Sequence, residues 1–217
     1  PPRSTLFPYT TLFRSIGDAG SDDDMKRVCQ TVSAHLSALI CGGEPMLTGS
    51  PGADAIEKLV NRVMQKYPVV VMDLSGASQP VQKRILEMAS GIVVVTTPML
   101  SSLRNARTLM GEIKTMKSGL KDVSLVVNMR GMAGPEEIPA KDICAAMEME
   151  PAAGVPYAPK VFATSEATGK PVGQNRDAVK ITDSLVPVVQ RLTAVSKIHA
   201  PEGGASSGGW FQSLFGK

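Results

Sequence analysis

Ile92-Val93-Val94-Val95-Thr96-Thr97-Pro98 is the stretch of sequence that decides the fold of this 217-residue chain. Its β-branched residues favour a strand, and Pro98 ends that strand because proline cannot donate to a sheet ladder. The run is continuously apolar rather than alternating, which is typical of parallel strands that helices cover on both faces. Residues 69–72 and 123–127 show the same pattern, so we expect three such strands in one sheet.

Amphipathic stretches separate these apolar runs, with apolar residues at the three- and four-residue spacing of helices. The predicted helices span residues 25–32, 53–67, 79–89, 100–116, 140–149 and 177–195, and further strands span 36–41 and 155–157. Residues 158–173 are predicted as a loop, and Pro187 is expected to kink or split the last helix. This alternation predicts an α/β fold with a partial doubly wound, mostly parallel sheet.

The two ends of the chain differ in composition from the α/β domain predicted at residues 16–196. Residues 5–15, Thr-Leu-Phe-Pro-Tyr-Thr-Thr-Leu-Phe-Arg-Ser, resemble the translation of a common sequencing-library adapter. Residues 1–15 are therefore interpreted as an artefact, with natural sequence expected from Ile16. The alternative, a native hydrophobic leader, lacks a small-residue cleavage site and is too short to span a membrane. Residues 197–209 have the composition of a flexible, glycine-rich linker.

Composition and charge narrow the class of protein. A hydrophobic content of 43% indicates a globular domain, and a formal net charge of +3, or +1 without Arg3 and Arg14, gives no bulk attraction for nucleic acid. The three cysteines, Cys29, Cys41 and Cys144, lie in apolar contexts without metal-ligand spacing, which favours a reduced, cytoplasmic location. No run of 18 apolar residues occurs, so no transmembrane helix is expected.

Polar residues follow three of the predicted strands. They are Asp73, the Thr96-Thr97-Pro98 run and Asn128. In an open parallel sheet, ligands bind beyond the carboxyl ends of the strands, so these residues are candidates for a binding site. Each of them alone is equally consistent with a turn or a cap, because Asp and Asn are common turn residues.

In this order and spacing, the motifs resemble those of the ParA/MinD family of P-loop ATPases. The matching segments are Val69-Val70-Val71-Met72-Asp73 followed by Leu74-Ser75-Gly76-Ala77, the run from Ile92 to Pro98 followed by Ser101-Ser102-Leu103-Arg104-Asn105-Ala106, Leu125-Val126-Val127-Asn128, and Gly154-Val155-Pro156-Tyr157 followed by Gly169-Lys170-Pro171-Val172. The resemblance implies that the chain is the C-terminal part of a P-loop NTPase fold of the ParA/MinD type.

The resemblance also implies roles for four residues. Asp73 would be the catalytic and metal-site residue, holding a Mg²⁺-bound water near the γ-phosphate of ATP. Asn128 would hydrogen-bond the adenine edge, with Pro156 and Tyr157 along the base. The glycine-rich phosphate loop of the family does not occur in the 217 residues. The full-length parent is therefore expected to be an ATPase, and this chain alone is not expected to hydrolyse ATP.

Within the family, the chain is similar to the CpaE/TadZ branch, which assembles and positions Tad-type pili. The similarity is carried by Leu103-Arg104-Asn105-Ala106-Arg107, Pro159-Lys160-Val161-Phe162-Ala163, Gly169-Lys170-Pro171 and Leu214-Phe215-Gly216-Lys217. It implies a homodimer on ATP binding, partners in the pilus or secretion machinery, and a cytoplasmic protein recruited to the inner membrane or cell pole. Ser75 and Met99 depart from the family, which usually has a proline and an acidic residue there; both departures weaken the expectation of efficient hydrolysis.

Two other functions remain open. One is a non-hydrolysing polar scaffold of the same fold, and the other is a MinD/ParA-type regulator of division or partition. A partition protein could use Lys114, Lys117 and Lys121 on DNA phosphates, but their spacing is also that of an ordinary solvated helix face. The near-neutral charge makes DNA an unexpected partner.

The last eight residues, 210–217, carry four large apolar side chains. These are Trp210, Phe211, Leu214 and Phe215. Such residues are hard to explain as solvent-exposed filler. Three interpretations stay open: a weak membrane anchor, a docking peptide for a partner in the pilus machinery, or a segment that folds back onto its own domain.

Overall fold

The computed structural model describes residues 29–33, 36–39, 52–116 and 122–198. The chain divides into two compact units, Pro1–Met88 and Ala89–Lys217, and each unit is described by itself. The predicted artefact at 1–15 and the tail at 210–217 lie outside the described residues, as do Cys41, Lys117 and Lys121.

The first unit contains two strands and two helices, and the second contains three strands and four helices, within the described residues. The first unit comprises β1 (Cys29–Ser33), β2 (Leu36–Leu39), α1 (Ala53–Lys66) and α2 (Gln79–Met88). The second comprises β3 (Ile92–Thr96), α3 (Leu100–Met116), β4 (Val123–Arg130), α4 (Ala140–Met147), β5 (Ala153–Pro156), α5 (Pro159–Thr168) and α6 (Val179–Ile198). Short 3₁₀ turns occur at Gly134–Glu136, Val172–Gln174 and Arg176–Ala178.

The second unit is built on a parallel sheet in the order β3-β4-β5. Helix α3 packs against β3, and α6 packs against β5. Residues 123–127 of β4 are all buried, so the central strand is covered on both faces as its apolar sequence predicts. The predicted α/β class and the parallel sheet are therefore confirmed.

Among the described residues, β3 has one neighbour in this sheet, β4, and one of its two faces is exposed. Ile92, Val94 and Thr96 are buried, whereas Val93 is 36% and Val95 59% exposed. Within the described residues, only one face of β3 is therefore covered, whereas its sequence pattern is typical of strands covered on both faces. A continuous run of β-branched residues favours a strand. This preference does not specify whether one or both faces of the strand are covered.

The core of the first unit lies between α1 and α2. Ile56, Val60, Val81 and Ile85 form a buried cluster. Arg84 of α2 joins the helices on the outside through two 2.7 Å hydrogen bonds from its Nε and Nη2 to the carboxylate of Glu57. Both predicted helices are confirmed to within one residue, because apolar positions at helical spacing are a strong local signal.

Residues 29–32 are a strand rather than the predicted helix. Strand β1 pairs with β2 in an antiparallel ladder, with Cys29 opposite Leu39. Thr31 and Val32 are β-branched and favour this conformation. The acidic run before residue 25 suggested a helix start, and the cross-strand pairing overrides that signal. The predicted strand at 36–41 is confirmed for Leu36–Leu39.

The predicted strand at residues 69–73 is not formed. The segment has no strand pairing within the described residues, and the side chain of Val71 is 89% exposed. Met72 and Leu74 instead pack against the α1–α2 cluster. An apolar run becomes a strand only where a neighbouring strand accepts its backbone hydrogen bonds, and the prediction of a third aliphatic strand in the sheet is therefore wrong.

Helix α5 occupies most of the predicted loop at 158–173. Pro159 stands at the first helical position, where its missing N–H costs nothing. Gly169 ends the helix in the left-handed region, at φ +64°, and its N–H donates to the carbonyl of Glu166. The sequence carried both signals, a proline at the start and a glycine at the end, and the loop prediction missed them.

Helix α6 continues through Pro187 as a single helix, so the predicted split does not occur. Pro187 is exposed, while Ile181 and Val188 are buried against β5 residues Ala153 and Val155. Packing of this buried face offsets the one backbone hydrogen bond that the proline removes. The helix extends to Ile198, so the first two residues of the predicted linker are helical. No helix among the described residues is long and apolar enough to cross a membrane.

A pair of valines in the first unit tests whether residues 69–72 are buried. We expect Val60→Ala to lower the free energy of unfolding by about 1–2 kcal/mol, because it removes two buried carbons. Val71→Ala should change it by less than about 0.5 kcal/mol. Urea denaturation of both variants measures the difference. Equal losses would show that Val71 is buried and contradict the exposed segment.

Candidate functional site

The carboxyl ends of β3 and β4 and the first half of α3 line an open cleft of about 320 Å³. Its lining residues are Val94, Val95, Thr96, Thr97, Ser102, Asn105, Ala106, Leu109 and Asn128. Val95 and Leu109 supply apolar wall, while the threonines, Ser102 and the two asparagines supply polar groups. Mostly apolar clefts with a few polar groups are typical of sites for small organic ligands.

Thr97 and Ser102 fix the turn between β3 and α3. The Oγ1 atom of Thr97 donates to the Oγ of Ser102 at 2.8 Å. Pro98 and Met99 complete this turn, and the N–H of Leu103 donates to the carbonyl of Met99 at 3.0 Å. The start of α3 therefore lies beside the cleft, and the backbone N–H groups of its first turn favour a negatively charged group there.

Asn128 lies in the cleft at an irregularity of β4. The ladder between β4 and β5 shifts register between Val127 and Arg130, and Met129 adopts φ +57°. The backbone N–H of Met129 donates to Oδ1 of Asn128 at 2.8 Å. A carbonyl oxygen has two lone pairs, so Oδ1 can accept a further bond from a ligand while it holds this turn. The short side chain of asparagine suits such a local bond.

Pro156 and Tyr157 end the neighbouring strand and do not line the cleft. Pro156 pairs with Arg130, and the N–H of Tyr157 donates to the carbonyl of Arg130 at 2.8 Å. Tyr157 is exposed. The structure thus brings Asn128 together with Thr96, Thr97 and Ser102, and it places Pro156 and Tyr157 one strand away, at the same end of the sheet.

Glu137 is a site-forming residue that sequence reasoning missed. Its Oε1 accepts hydrogen bonds from the backbone N–H groups of Gly131 and Ala133, in the loop after β4. The next residue, Ile138, donates its N–H to the carbonyl of Pro98 at 3.0 Å. These bonds tie the loop after β4 to the loop after β3. The Gly-Pro turn at 134–135 marks the loop in the sequence. No feature of the sequence predicts that the Glu137 carboxylate accepts hydrogen bonds from residues four and six positions earlier.

Asp73 belongs to the first unit and stands in a tight turn. The backbone N–H of Ser75 donates to its Oδ1 at 2.9 Å, and Gly76 follows with φ +75°. The backbone bond and a bond from the Ser75 side chain lower the pKa of the Asp73 carboxyl below its usual 3.8. Its side chain is exposed and ionised at neutral pH, which fits a carboxylate that holds Mg²⁺ through water.

The described residues contain no group of three or more His, Cys, Asp or Glu side chains that could hold a metal ion. A Mg²⁺ ion bound with ATP needs no such cage, because it keeps several waters and takes one or two carboxylates plus phosphate oxygens. Asp73 provides an oxygen of that kind. The cleft of the second unit separately offers apolar wall, the amide of Asn128 and the first turn of α3.

Comparison with known proteins shows which fold this is. No family model matches the chain, and no curated protein matches it in sequence. Among solved structures, a ParA family ATPase from Chlorobium tepidum is similar with a TM-score of 0.68 and 17% identity, over 84% of this chain and 73% of that one. The septum site-determining protein MinD from Pyrococcus horikoshii, complexed with Mg-ADP, is similar with a TM-score of 0.64 and 14% identity, over 92% and 78%.

A third similar structure is MinD from Aquifex aeolicus in its complex with MinC. It has a TM-score of 0.51 and 17% identity, over 72% of this chain and 61% of that chain. At these identities the likeness concerns the fold. The chain is an α/β protein with the fold of the ParA and MinD ATPases, which confirms the predicted fold class.

The hydrogen bonds from Ser75 predict how substitutions of Ser75 change the pKa of the Asp73 carboxyl. Ser75→Pro removes the N–H that donates to Oδ1, whereas Ser75→Ala removes only the side-chain bond. We expect the pKa of Asp73, followed by carbon NMR of its carboxyl, to rise toward 3.8 in both variants and further in Ser75→Pro. A pKa that stays as low in Ser75→Pro as in the unchanged chain would contradict the assigned bond.

The direction of the stability effect follows from the same shift. A carboxyl with a lower pKa in the folded chain than in the unfolded chain stabilises the fold above the unfolded value. This contribution is lost as the pH falls through the folded pKa of Asp73. The difference in stability between the unchanged chain and Ser75→Pro should therefore be present at neutral pH and shrink below about pH 4.

Proposed function

We propose that this chain is the C-terminal part of a nucleotide-dependent positioning ATPase of the ParA/MinD type, in a CpaE/TadZ-like branch that assembles and localises Tad-type pili. The observation that carries the proposal is the cleft at the carboxyl ends of β3 and β4, with Asn128 inside it, in a fold shared with ParA and MinD proteins. Parallel α/β sheets bind ligands at this end.

In this proposal the cleft receives the adenine base. Val95 and Leu109 offer apolar contact to its faces, and Asn128 offers an amide to its edge. Pro156 and Tyr157, at the end of β5, would contact the outer part of the nucleotide. Asp73 would hold Mg²⁺ through a water molecule. MinD from Pyrococcus horikoshii was solved with Mg-ADP, which supports ATP and Mg²⁺ as the cofactors of the proposed parent protein.

The proposed partners are a second copy of the protein and components of a pilus or secretion machine. MinD from Aquifex aeolicus forms a complex with MinC, which supports protein binding as a property of this fold. The proposed location is the cytoplasm, with recruitment to the inner membrane or the cell pole.

A non-hydrolysing scaffold is the second candidate, and one observation favours it. The Ser75 N–H holds one carboxylate oxygen of Asp73 in the turn at 2.9 Å. The proline that the ParA/MinD family usually has at this position has no N–H to donate. A serine here therefore reduces the freedom of Asp73 to reorient toward a metal-bound water, which suits a protein that binds nucleotide without turning it over.

Asn128 tests the placement of the base. Adenosine triphosphate with Mg²⁺ is titrated into the full chain and followed by the amide NMR shifts of Thr97 and Asn128. We expect Asn128→Ala to weaken binding by about two- to tenfold, the value of one neutral hydrogen bond. The control, Asn61→Ala, makes the same change at an exposed position of α1 and should leave the affinity unchanged. Shifts confined to other regions would contradict the placement.

A deletion in a host that bears Tad-type pili tests the cellular role. We expect loss of the gene to abolish or displace the pili, since the positioning protein is missing. Restoring the intact gene should restore them. A copy with Asp73→Ala separates the two candidates, because an ATPase that needs Asp73 would no longer position pili and a non-hydrolysing scaffold still would. Misplaced division septa or lost plasmids with normal pili would instead identify a division or partition regulator.

A further inference from the structure

An open groove runs between helices α3 and α4 of the second unit. Its volume is about 130 Å³, and we call it the α3–α4 groove. Met110 and Met147 form its apolar floor, since both line it and both are buried. Arg107, Lys114 and Glu148 line it as exposed residues and form its rim. The groove is separate from the cleft that contains Asn128.

The groove lies away from the open edge of the sheet. Helix α3 joins β3 to β4, and α4 joins β4 to β5. A helix that connects parallel strands packs over the strands it joins, so the space between α3 and α4 lies toward the central strand. A further strand could pair only with the edge of β3 that has no neighbour among the described residues. Such a strand would not fill the groove.

Gly111 lies in the interior of α3 and lines the groove at an exposed position. Glycine in a helix interior is less favourable than alanine. A Cβ atom at this position would meet no atom within 4 Å, so no packing contact in the described chain requires a glycine here. A glycine of this kind is typical of a place where a ligand or another chain approaches the backbone closely.

Glu148 is a second residue of the groove with an unfavourable backbone. It ends α4 in the left-handed region at φ +55°, where glycine or asparagine is usual. Its Oε1 lies 3.5 Å from Nη2 of Arg107, and both side chains are exposed. An exposed ion pair is weak, so Arg107 can exchange this partner for another carboxylate. Unfavourable backbone conformations cluster at binding and catalytic sites.

Basic residues predominate on this side of α3. Arg104, Arg107 and Lys114 are exposed, and their spacing of three and seven residues places them on the same side of the helix. Lys114 forms no ion pair with another described residue. Glu148 is the one acidic residue that lines the groove. This balance of charge favours an acidic partner.

The size of the groove favours a short chain segment over a small-molecule ligand. Sites for drug-sized ligands have about 300–1,000 Å³, whereas a cavity of about 150 Å³ holds one benzene molecule. The α3–α4 groove therefore has room for one apolar side chain. The distance along the helix from Arg104 to Lys114 is about 15 Å, which about five extended residues span.

We propose that the α3–α4 groove binds a short acidic segment of a partner protein. One apolar side chain of the segment contacts Met110 and Met147, and the backbone of the segment passes over Gly111. Its acidic side chains pair with Arg107 and Lys114. The proposal involves neither nucleotide nor pilus, so it stands or falls separately from the proposed function.

Peptide display on the full chain tests the chemistry of the occupant. Random peptides of about seven residues, long enough to span the groove, are displayed on phage and selected at low ionic strength. We expect the enriched peptides to carry more acidic than basic residues and at least one large apolar residue. Their binding should weaken as salt is added, because the charges of the rim are exposed.

Two substitutions locate the binding. Gly111→Leu places a side chain in the path of the segment, and Lys114→Glu reverses a charge of the rim. Each should lower the affinity of the best synthetic peptide at least about tenfold, measured by fluorescence anisotropy. The matched controls are Thr108→Leu, at an exposed residue of α3 that does not line the groove, and Lys180→Glu, on the exposed side of α6. Both controls should change the affinity by less than about twofold.

Gly111→Ala guards against a variant that fails to fold. Alanine favours the helix, so the melting temperature should rise by about 2–4 °C, while the affinity for the peptide falls about threefold or more. Loss of binding in a more stable chain does not come from unfolding.

Four results would overturn the proposal. They are a selection that enriches no peptide, enriched peptides without an acidic excess, equal losses of affinity in the groove variants and their controls, and self-association of the chain that Gly111→Leu abolishes. The last result would identify a second copy of the chain as the occupant.

Discussion

The parallel ladder around β4 is the interaction on which the second unit depends. β4 pairs with β3 on one side and β5 on the other, and its first five residues are buried. Its far end leaves the regular ladder at Asn128 and Met129. A fixed strand with an irregular end holds a polar side chain at the carboxyl end of the sheet while the apolar part of the strand stays covered.

Hydrogen bonds from the loops complete this arrangement. Glu137 holds the loop after β4, and the bond from the Ile138 N–H to the Pro98 carbonyl joins it to the loop after β3. The bond between Thr97 and Ser102 positions the start of α3. The polar groups of the cleft are thus held by local bonds that need no ligand, and pre-organisation of this kind reduces the cost of binding.

Local patterns predicted α1 to α4, α6 and the central strands, but missed α5 and predicted a helix where β1 forms. The helical spacing of apolar residues located α1 to α4 because that signal is local. The strand propensity of residues 69–72 is equally local, yet these residues form no strand within the described chain, since pairing depends on a neighbour that propensity does not specify. Asn128 was predicted at a strand end and lies in the cleft. Glu137 was not predicted, because its two acceptor bonds depend on the folded loop. Asp73, Pro156 and Tyr157 keep their predicted roles as proposals.

The central proposal is that the cleft belongs to a nucleotide-dependent ATPase. The presence or absence of a phosphate loop encoded upstream of this chain tests that proposal. The most direct measurement is to recover the genomic DNA upstream of the Ile16 codon and translate it. The account predicts an in-frame apolar strand followed by a glycine-rich loop with its lysines, the elements that hold the phosphates in such proteins. A natural reading frame that begins at Ile16 or later, or an upstream sequence without the glycine-rich loop and its lysines, would contradict the ATPase.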